Sequence, residues 1–266
     1  MNKAKIALLG PEYSYSHHLA IKLFPEQELI FCTRIEEVFQ KIAEKKVTRG
    51  IIPLENMLEG SVRESIKSFL KSEVKINRAY TMPIHHCLAG KNKQYTSVIS
   101  HPQALAQCSV FLSGKNIIES SSTSKAMAMA AADESYAAIG STEAAEHYNL
   151  QILHRNIEDN HDNVTKFVTI SLEENQEGVN PTTSLILKPK DDKPGLLFNL
   201  LAPFALKNIN LLKIESLPSG RKMGEYVFYL EIDGNVREEK VKSALDFLKD
   251  IVEVYSLGSY DVLDLK

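Results

Sequence analysis

The sequence predicts an α/β protein with a two-lobed N-terminal part and a smaller βαββαβ unit at its C-terminal end. Three observations favour this class. Short apolar runs alternate with amphipathic stretches through the first two-thirds of the chain, as in parallel βαβ units. A Glu-rich polar segment with Gly and Pro, residues 171–182, then interrupts the pattern as a linker does. Beyond it, the order of elements is that of a ferredoxin-like split unit.

The first elements alternate strand and helix along the chain. Thr33 and Glu36 have the spacing of a capping box, which predicts a helix start at that point. Pro53 is expected to close the third strand. The predicted elements are, in order, Ile6–Leu9, a helix over 17–24, Leu29–Cys32, a helix from 35, Gly50–Leu54 and a helix over 61–71.

The same alternation continues through residues 74–153. About 170 residues exceed what one such sheet needs, so two lobes around a cleft are expected, with the ligand beyond the carboxyl ends of the strands. The predicted strands are Val74–Tyr80, Ile84–Leu88, Val98–Ser100, Tyr136–Ile139 and Gln151–Leu153, and the predicted helices Pro102–Leu112, Ser124–Asp133 and Thr142–Tyr148.

The C-terminal unit has a cleaner pattern, which sets the predicted division at residues 1–176 and 183–266. Pro203 lies inside its first helix and should kink or shorten it. The predicted elements are Ser184–Leu187, a helix over 194–205, Asn210–Ser216, a turn over 218–224, Tyr226–Ile232, a helix over 238–248 and a strand from 252.

Composition narrows the class of protein. The 266 residues are 44% hydrophobic and 24% charged, with a net charge of −3. Near-neutrality argues against a broad nucleic-acid surface, which needs a strongly basic face. No apolar run approaches the roughly 20 residues of a membrane span, and three scattered cysteines do not make a disulfide framework. We therefore expect a cytoplasmic protein with neither nucleic-acid nor membrane partners.

Polar loops follow several of the predicted strands, and their sequences are specific. They read GPEYSYSH from Gly10, PLENMLEGSV from Pro53, SHPQALAQC from Ser100 and NVTKF from Asn163; the tail contains PGLL from Pro194 and ESLP from Glu215. Together and in this order they resemble the prephenate dehydratase family with its appended ACT domain. The resemblance extends from Gly10 to about Tyr260.

The resemblance implies a periplasmic-binding-protein-like pair of lobes and the conversion of prephenate to phenylpyruvate, with loss of CO2 and water. Aromatisation favours the product, and the difficult step is expulsion of hydroxide, which needs a hydrogen-bond or proton donor. The family needs no metal and no cofactor. It also implies phenylalanine as allosteric effector and a homodimer or homotetramer.

Site residues are carried over position by position. Thr165 is the expected donor to the leaving hydroxyl, with Asn56 and Glu55 beside it. Lys166 stands where the family has Arg and is expected to bind a carboxylate as a point charge. The remaining expected substrate-binding residues are Ser14, Ser122, Thr123, Ser124, Phe167, His85 and Gln103.

Each of these residues also has a simpler interpretation. Residues 122–124 are typical of a helix N-cap, Asn56 of an Asx-turn, and Glu55 of a solvated loop charge. His85 and His86 are neighbours in a predicted strand and point to opposite faces, so a metal site with Cys87 is not expected.

Departures from the family pattern leave alternatives open. Tyr13 replaces a Gly, Ser14 a Thr and Met57 a Ser, in addition to Lys166. Three alternatives follow from these departures: a divergent but active dehydratase, an enzyme whose substrate is arogenate, and a family member that has lost catalysis. A binding protein or aromatic-metabolite sensor with the same two lobes is the rival hypothesis.

The tail resembles ACT modules, which bind amino acids at a dimer interface. Leu196 takes the place of a family Ala and Leu217 that of an Arg. A folding and dimerisation module without effector is the alternative. The expected effector-binding residues are Gly195, Leu196, Asn210, Leu211, Glu215 and Ser216.

Overall fold

The computed structural model describes residues 4–174, 181–219 and 225–265. Half of the predicted linker (175–180) and most of the predicted turn (220–224) lie outside these residues. In chain order the elements are β1 (Lys5–Leu9), α1 (Tyr15–Leu23), β2 (Glu28–Cys32), α2 (Ile35–Ala43), β3 (Arg49–Asn56), β4 (Gly60–Ser61), α3 (Arg63–Phe69), β5 (Lys75–Pro83), β6 (Cys87–Gly90), β7 (Ser97–Ser100), α4 (Pro102–Gln107), β8 (Ile117–Glu119), α5 (Thr123–Ala132), β9 (Tyr136–Gly140), α6 (Thr142–His147), β10 (Gln151–Arg155), β11 (Val164–Ser171), β12 (Thr182–Pro189), α7 (Leu196–Leu206), β13 (Leu211–Pro218), β14 (Tyr226–Asp233), α8 (Glu239–Leu248), β15 (Val252–Tyr260) and β16 (Val262–Asp264).

The first lobe is a sheet in the order β16-β5-β11-β3-β1-β2, with β4 paired to β3. Helix α2 buries its predicted apolar face of Ile35, Val38, Phe39 and Ile42 in this lobe. The observed hydrogen bond of Thr33 differs from the predicted capping box by one residue. The Thr33 hydroxyl donates to Glu37 rather than pairing with Glu36, because the helix begins at Ile35 after Arg34 as N-cap.

Strand β3 runs through Pro53 instead of ending there. The proline is paired with Phe167 of β11, next to a shift in register between Lys166 and Phe167. A proline removes one ladder donor, and a bulge is one of the places where a sheet tolerates that loss. As a result β3 continues to Asn56 and carries Glu55 and Asn56 alongside β11.

The second lobe has the sheet order β10-β6-β9-β7-β8. Both lobes mix strand directions: β1 is parallel to β2 and β3, whereas β11 runs antiparallel to β3 and β5. The chain crosses between the lobes twice, at residues 84–86 and 156–163. The predicted strand Ile84–Leu88 therefore begins only at Cys87, because its first three residues form a crossover.

The C-terminal unit is a four-stranded sheet in the order β13-β14-β12-β15. One face packs with α7 and α8 around Leu200, Phe204 and Leu248. Pro203 does not shorten α7 at its C-terminal end, because the helix continues through it to Leu206, one residue past the predicted end. No helix in the described ranges is long and apolar enough to cross a membrane.

The other face of this sheet is docked on the first lobe. Leu217, Tyr229 and Tyr260 belong to the same buried cluster as Ile76 and Ala79 of β5. The chain then returns to the first lobe, where β16 pairs in parallel with β5. The two parts of the chain thus share a hydrophobic core and a sheet.

Gly258 permits this close approach. Its φ is +128°, and a Cβ there would lie 2.5 Å from the Ile76 carbonyl oxygen. Gly114 also has a positive φ, +75°, but open space around the missing Cβ.

We predict that Gly258→Ala destabilises the protein more than Gly114→Ala. The left-handed conformation alone costs an L-residue about 1–2 kcal/mol, and forced overpacking adds about 1–3 kcal/mol. Urea unfolding of both variants measures the difference in free energy. Equal losses would contradict the docking role of Gly258.

Candidate active site

Thr165 and Asn56 meet at one end of the first-lobe sheet, next to the crossovers, where β3 ends and β11 begins. They are direct partners in the antiparallel pairing of β11 and β3. Both are 8% exposed. The Asn56 Nδ2 donates to Thr165 Oγ1 over 2.8 Å and to Asn163 Oδ1 over 3.0 Å. A cross-strand pair therefore holds the expected donor hydroxyl against a buried amide.

The orientation of the Asn56 amide follows from its surroundings. Its Oδ1 accepts the backbone N–H groups of Leu58 at 3.0 Å and Glu59 at 3.2 Å. Nδ2 must then be the group that faces Thr165, because backbone amides only donate. Asn56 thus forms the Asx-type turn and also supports Thr165. Since Thr165 Oγ1 accepts from Asn56, its own hydrogen remains available for another acceptor.

A chain of buried amides continues from this pair towards the second lobe. Asn163 Oδ1 accepts from Asn56, so its Nδ2 donates to Gln107 Oε1, at 3.4 Å. The same Gln107 oxygen lies 3.0 Å from His86 Nε2, which must therefore carry the proton. Burial lowers the pKa of His86, which favours the neutral ring. Asn163, Gln107 and His86 were not among the expected site residues.

The expected residues Gln103 and His85 lie outside this chain of amides. Gln103 is exposed at the start of α4, one turn before Gln107. His85 has a half-exposed side chain whose Nδ1 lies 2.8 Å from Glu158 Oε1. The alternation of side chains along a strand predicted that His85 and His86 face opposite ways. It did not predict which of them contacts Gln107. Within the described ranges, no cluster of His, Cys, Asp and Glu could hold a metal ion.

Glu158 joins the two crossovers. Its buried carboxylate accepts the His86 backbone N–H at 2.8 Å and faces Nδ1 of both His85 and His161. Burial alone would raise the pKa of this carboxyl, but these hydrogen bonds outweigh burial and hold the pKa below its usual value. The crossovers are also bonded directly, from the Ile84 N–H to the Asn163 carbonyl at 2.8 Å.

Lys166 and Glu55 lie on the opposite face of the same strands, towards the C-terminal unit. Lys166 Nζ is 3.2 Å from Glu55 Oε2 and 2.8 Å from Glu231 Oε2 of β14, and Lys213 of β13 also binds Glu55. This differs from the expected substrate contacts because neighbouring residues of a strand point to opposite faces. With Thr165 turned towards the amides, Lys166 points away from them.

These charges are only partly exposed, and they compensate one another. Burial would raise the pKa of Glu55, but hydrogen bonds and charge from Lys213 and Lys166 lower it below its usual value. Burial would lower the pKa of Lys166, but Glu231 and Glu55 raise it. Both groups therefore remain charged, which gives a continuous ion-pair network between the two parts of the chain.

The remaining expected substrate-binding residues take several roles. Ser14 and Ser122 are the N-caps of α1 and α5 and accept from the His17 and Lys125 backbone N–H groups. Thr123 begins α5. Ser124 donates to the Glu12 carbonyl oxygen in the other lobe at 2.6 Å. Phe167 is 4% exposed and packs in the core beneath α1.

Comparison with known proteins identifies the family. The family model of prephenate dehydratase matches residues 6–175 of this chain. The prephenate dehydratase of Methanocaldococcus jannaschii is 38% identical over 99% of this chain and 100% of its own length. The chain belongs to the prephenate dehydratase family. It is accordingly an enzyme, a hydro-lyase, and the resemblance based on its motifs is confirmed.

Further comparisons extend to the regulatory unit and the fold. The ACT domain model matches residues 190–250 of this dehydratase. An arogenate dehydratase/prephenate dehydratase of Arabidopsis thaliana is 32% identical, over 97% of this chain and 72% of the relative. The structure of a prephenate dehydratase from Arthrobacter aurescens in complex with L-Phe has a TM-score of 0.88 at 25% identity, covering 97% of this chain and 90% of that one. The predicted two-lobed α/β class with a C-terminal ACT domain is confirmed.

The expected effector residues of the ACT domain fall into two groups. Gly195, with φ +83°, and Leu196 form the start of α7, and Leu196 and Leu211 pack on the same cluster. Asn210 immediately precedes Leu211. The other two, Glu215 and Ser216, lie further along β13, where Glu215 is 3.8 Å from Lys213. The second group is therefore closer to the ion pairs that reach the catalytic part.

We predict that Glu158→Gln destabilises the dehydratase at neutral pH and that the deficit shrinks in acid. A lowered pKa means that the ionised carboxylate stabilises the folded state above the unfolded-state value of 4.5, and that this contribution is lost as the pH falls through the folded-state pKa. Urea unfolding at pH 7 and pH 4 checks this, with the exposed Glu64→Gln as control. A deficit that is unchanged or larger in acid would argue against a stabilising carboxylate.

Proposed function

We propose that this enzyme converts prephenate to phenylpyruvate, and that Thr165 donates a hydrogen bond to the departing hydroxyl. The observation that carries the proposal is the fixed Asn56 amide, which occupies one lone pair of Thr165 Oγ1 and leaves its hydrogen free. The membership of the chain in the prephenate dehydratase family supports the substrate.

The reaction needs little covalent chemistry from the protein. The electron pair of the bond between the ring and its carboxylate enters the ring as CO2 leaves, and the ring expels hydroxide from the opposite carbon. The hydroxide takes up a proton from solvent to become water. Thr165 is too weak an acid to be fully deprotonated, so its role is donation to the oxygen as negative charge develops there.

The carboxylates of the substrate would then be held mainly by neutral donors. Lys166 is occupied by two carboxylates on the other face of the sheet. The N-termini of α1 and α5, with Ser14, Ser122 and Thr123, offer hydroxyls and backbone N–H groups of the kind that bind anions. Arogenate carries an ammonium group in place of the keto oxygen, and relatives named for arogenate make it the second candidate substrate.

We further propose that L-Phe binds the ACT domain near Gly195, Leu196, Asn210 and Leu211 and inhibits the enzyme. The ion pairs from Glu231 to Lys166 offer a path from β14 to the residue next to Thr165. An assembly of two or four chains is part of this proposal. It is supported by β13, an edge strand with exposed Leu212 and Ile214.

We predict that Thr165→Ala lowers kcat for prephenate by about 10²–10³, the usual effect of removing a donor to a developing oxyanion. Thr165→Ser should retain part of the rate. Phenylpyruvate formation is the measurement, with arogenate tested side by side. Thr169→Ala, also buried on β11, is the matched control and should leave kcat near wild type. Intact turnover in Thr165→Ala would remove this residue from the mechanism, and binding without turnover in the wild type would favour a sensor.

We predict that Glu231→Gln weakens inhibition by L-Phe while basal turnover stays close to wild type. The substitution keeps the shape of the side chain but removes its ion pair with Lys166. The half-inhibitory concentration of L-Phe is the measurement. Glu253→Gln is the control, since Glu253 pairs with Lys188 inside the ACT domain. Equal inhibition of both variants would exclude the proposed path.

A further inference from the structure

Tyr13 has an unusual backbone conformation for a large side chain. Its φ is +61°, in the left-handed region. Among the described residues, the other non-glycine positions with positive φ are Lys45 and three asparagines, Asn149, Asn156 and Asn208. Asparagine tolerates this region, whereas a bulky residue there is strained and persists only when its surroundings hold it.

Contacts with the second lobe hold Tyr13. Its ring stacks on the ring of His147 at the end of α6, with centroids 3.6 Å apart and planes at 17°. The Tyr148 ring meets it edge-on at 6.0 Å. Within the first lobe, the Tyr13 backbone N–H donates to His17 Nδ1 at 2.8 Å. The strained residue thus belongs to one lobe by sequence and packs on the other.

Two further contacts on the same segment also join the lobes. The Ser124 hydroxyl of α5 donates to the Glu12 carbonyl oxygen at 2.6 Å. His18 Nδ1 of α1 lies 3.3 Å from Glu143 Oε1 of α6. Residues 12–18 therefore form a bridge between the lobes beside the first crossover, where the Tyr15 hydroxyl donates to the His85 carbonyl oxygen at 2.7 Å, and Tyr13 contributes its aromatic contact.

We infer that Tyr13 is a positioning residue that holds the two lobes together around the substrate and so sets the affinity for it. This inference rests on the proposed function for the identity of the substrate. Tyr13 takes no part in the chemistry. If a substrate binds only the closed arrangement, its apparent affinity is its intrinsic affinity multiplied by the fraction of molecules that are closed. Loss of the stacked ring should therefore raise KM more than it lowers kcat.

The separation of the lobes can be measured without substrate. Exposed Glu64 and Ser113, one in each lobe, are replaced by cysteine and spin-labelled for distance measurement by electron resonance; the native Cys32, Cys87 and Cys108 are buried. Tyr13→Asn removes the ring and keeps a residue suited to positive φ. Tyr13→Phe keeps the ring. Lys45→Asn makes the same change at a left-handed position of the first lobe outside the bridging segment.

Tyr13→Asn should lengthen or broaden the distance distribution and raise KM for prephenate by up to about tenfold, since the loss of an aromatic pair worth about 0.5–1.5 kcal/mol changes the equilibrium between the arrangements by about two- to tenfold. Its melting temperature should not fall, because the substitution relieves strain. Tyr13→Phe and Lys45→Asn should match wild type in distance and KM.

Several results would overturn the inference. They are an unchanged distance distribution in Tyr13→Asn, an unchanged KM despite longer distances, or the same changes in Lys45→Asn. If the wild type does not turn over prephenate, the proposed function fails. The distance measurements then still decide whether Tyr13 holds the lobes together.

Discussion

The antiparallel pairing of β11 with β3 places Thr165 opposite Asn56 and Lys166 opposite Glu55. Because side chains alternate between the faces of a sheet, one pair faces the crossovers and the other faces the ACT domain. The face towards the crossovers carries neutral amides and a hydroxyl, and the face towards the ACT domain carries charged side chains. A single strand therefore belongs to both the candidate catalytic centre and the domain interface.

Much of the catalytic architecture depends on satisfying buried polar groups. The amide chain from Thr165 through Asn56, Asn163 and Gln107 to His86 has one consistent assignment of donors and acceptors, starting from the two backbone N–H groups at Asn56. A buried network of this kind stabilises a unique arrangement where its members are paired, and the bonds from Thr165 to His86 Nε2 meet this condition. Among the described residues, the buried His86 Nδ1 has no hydrogen-bond partner. The network also extends from the first lobe through the second crossover to α4, so it orients Thr165 with respect to both lobes.

The sequence predicted the regular elements well where a local pattern determines them. The apolar face of α2 is buried as its periodicity indicated. Strand β16 was not predicted, because Val262–Asp264 has no local signal and its partner, β5, is distant in the sequence. The motifs led to Thr165 and Asn56, whereas His86 and Gln107, which hydrogen bonds through Asn163 connect to this pair, were not among the expected residues. Glu158 was also not among the expected residues, since two of its partners, His85 and His86, come from the other crossover.

The electrostatic balance of the chain also limits how a dianionic substrate can be held. With a net charge of −3, the protein as a whole does not attract anions. Lys166 on β11 and Lys213 on β13 are neutralised by Glu55 and Glu231. Leu217, in the position of a family arginine, is 2% exposed and packs in the core shared by the two parts of the chain. These cations therefore lie in ion pairs at the domain interface, and the hydroxyls and backbone N–H groups at the starts of α1 and α5 are the neutral donors on which the proposed substrate binding depends.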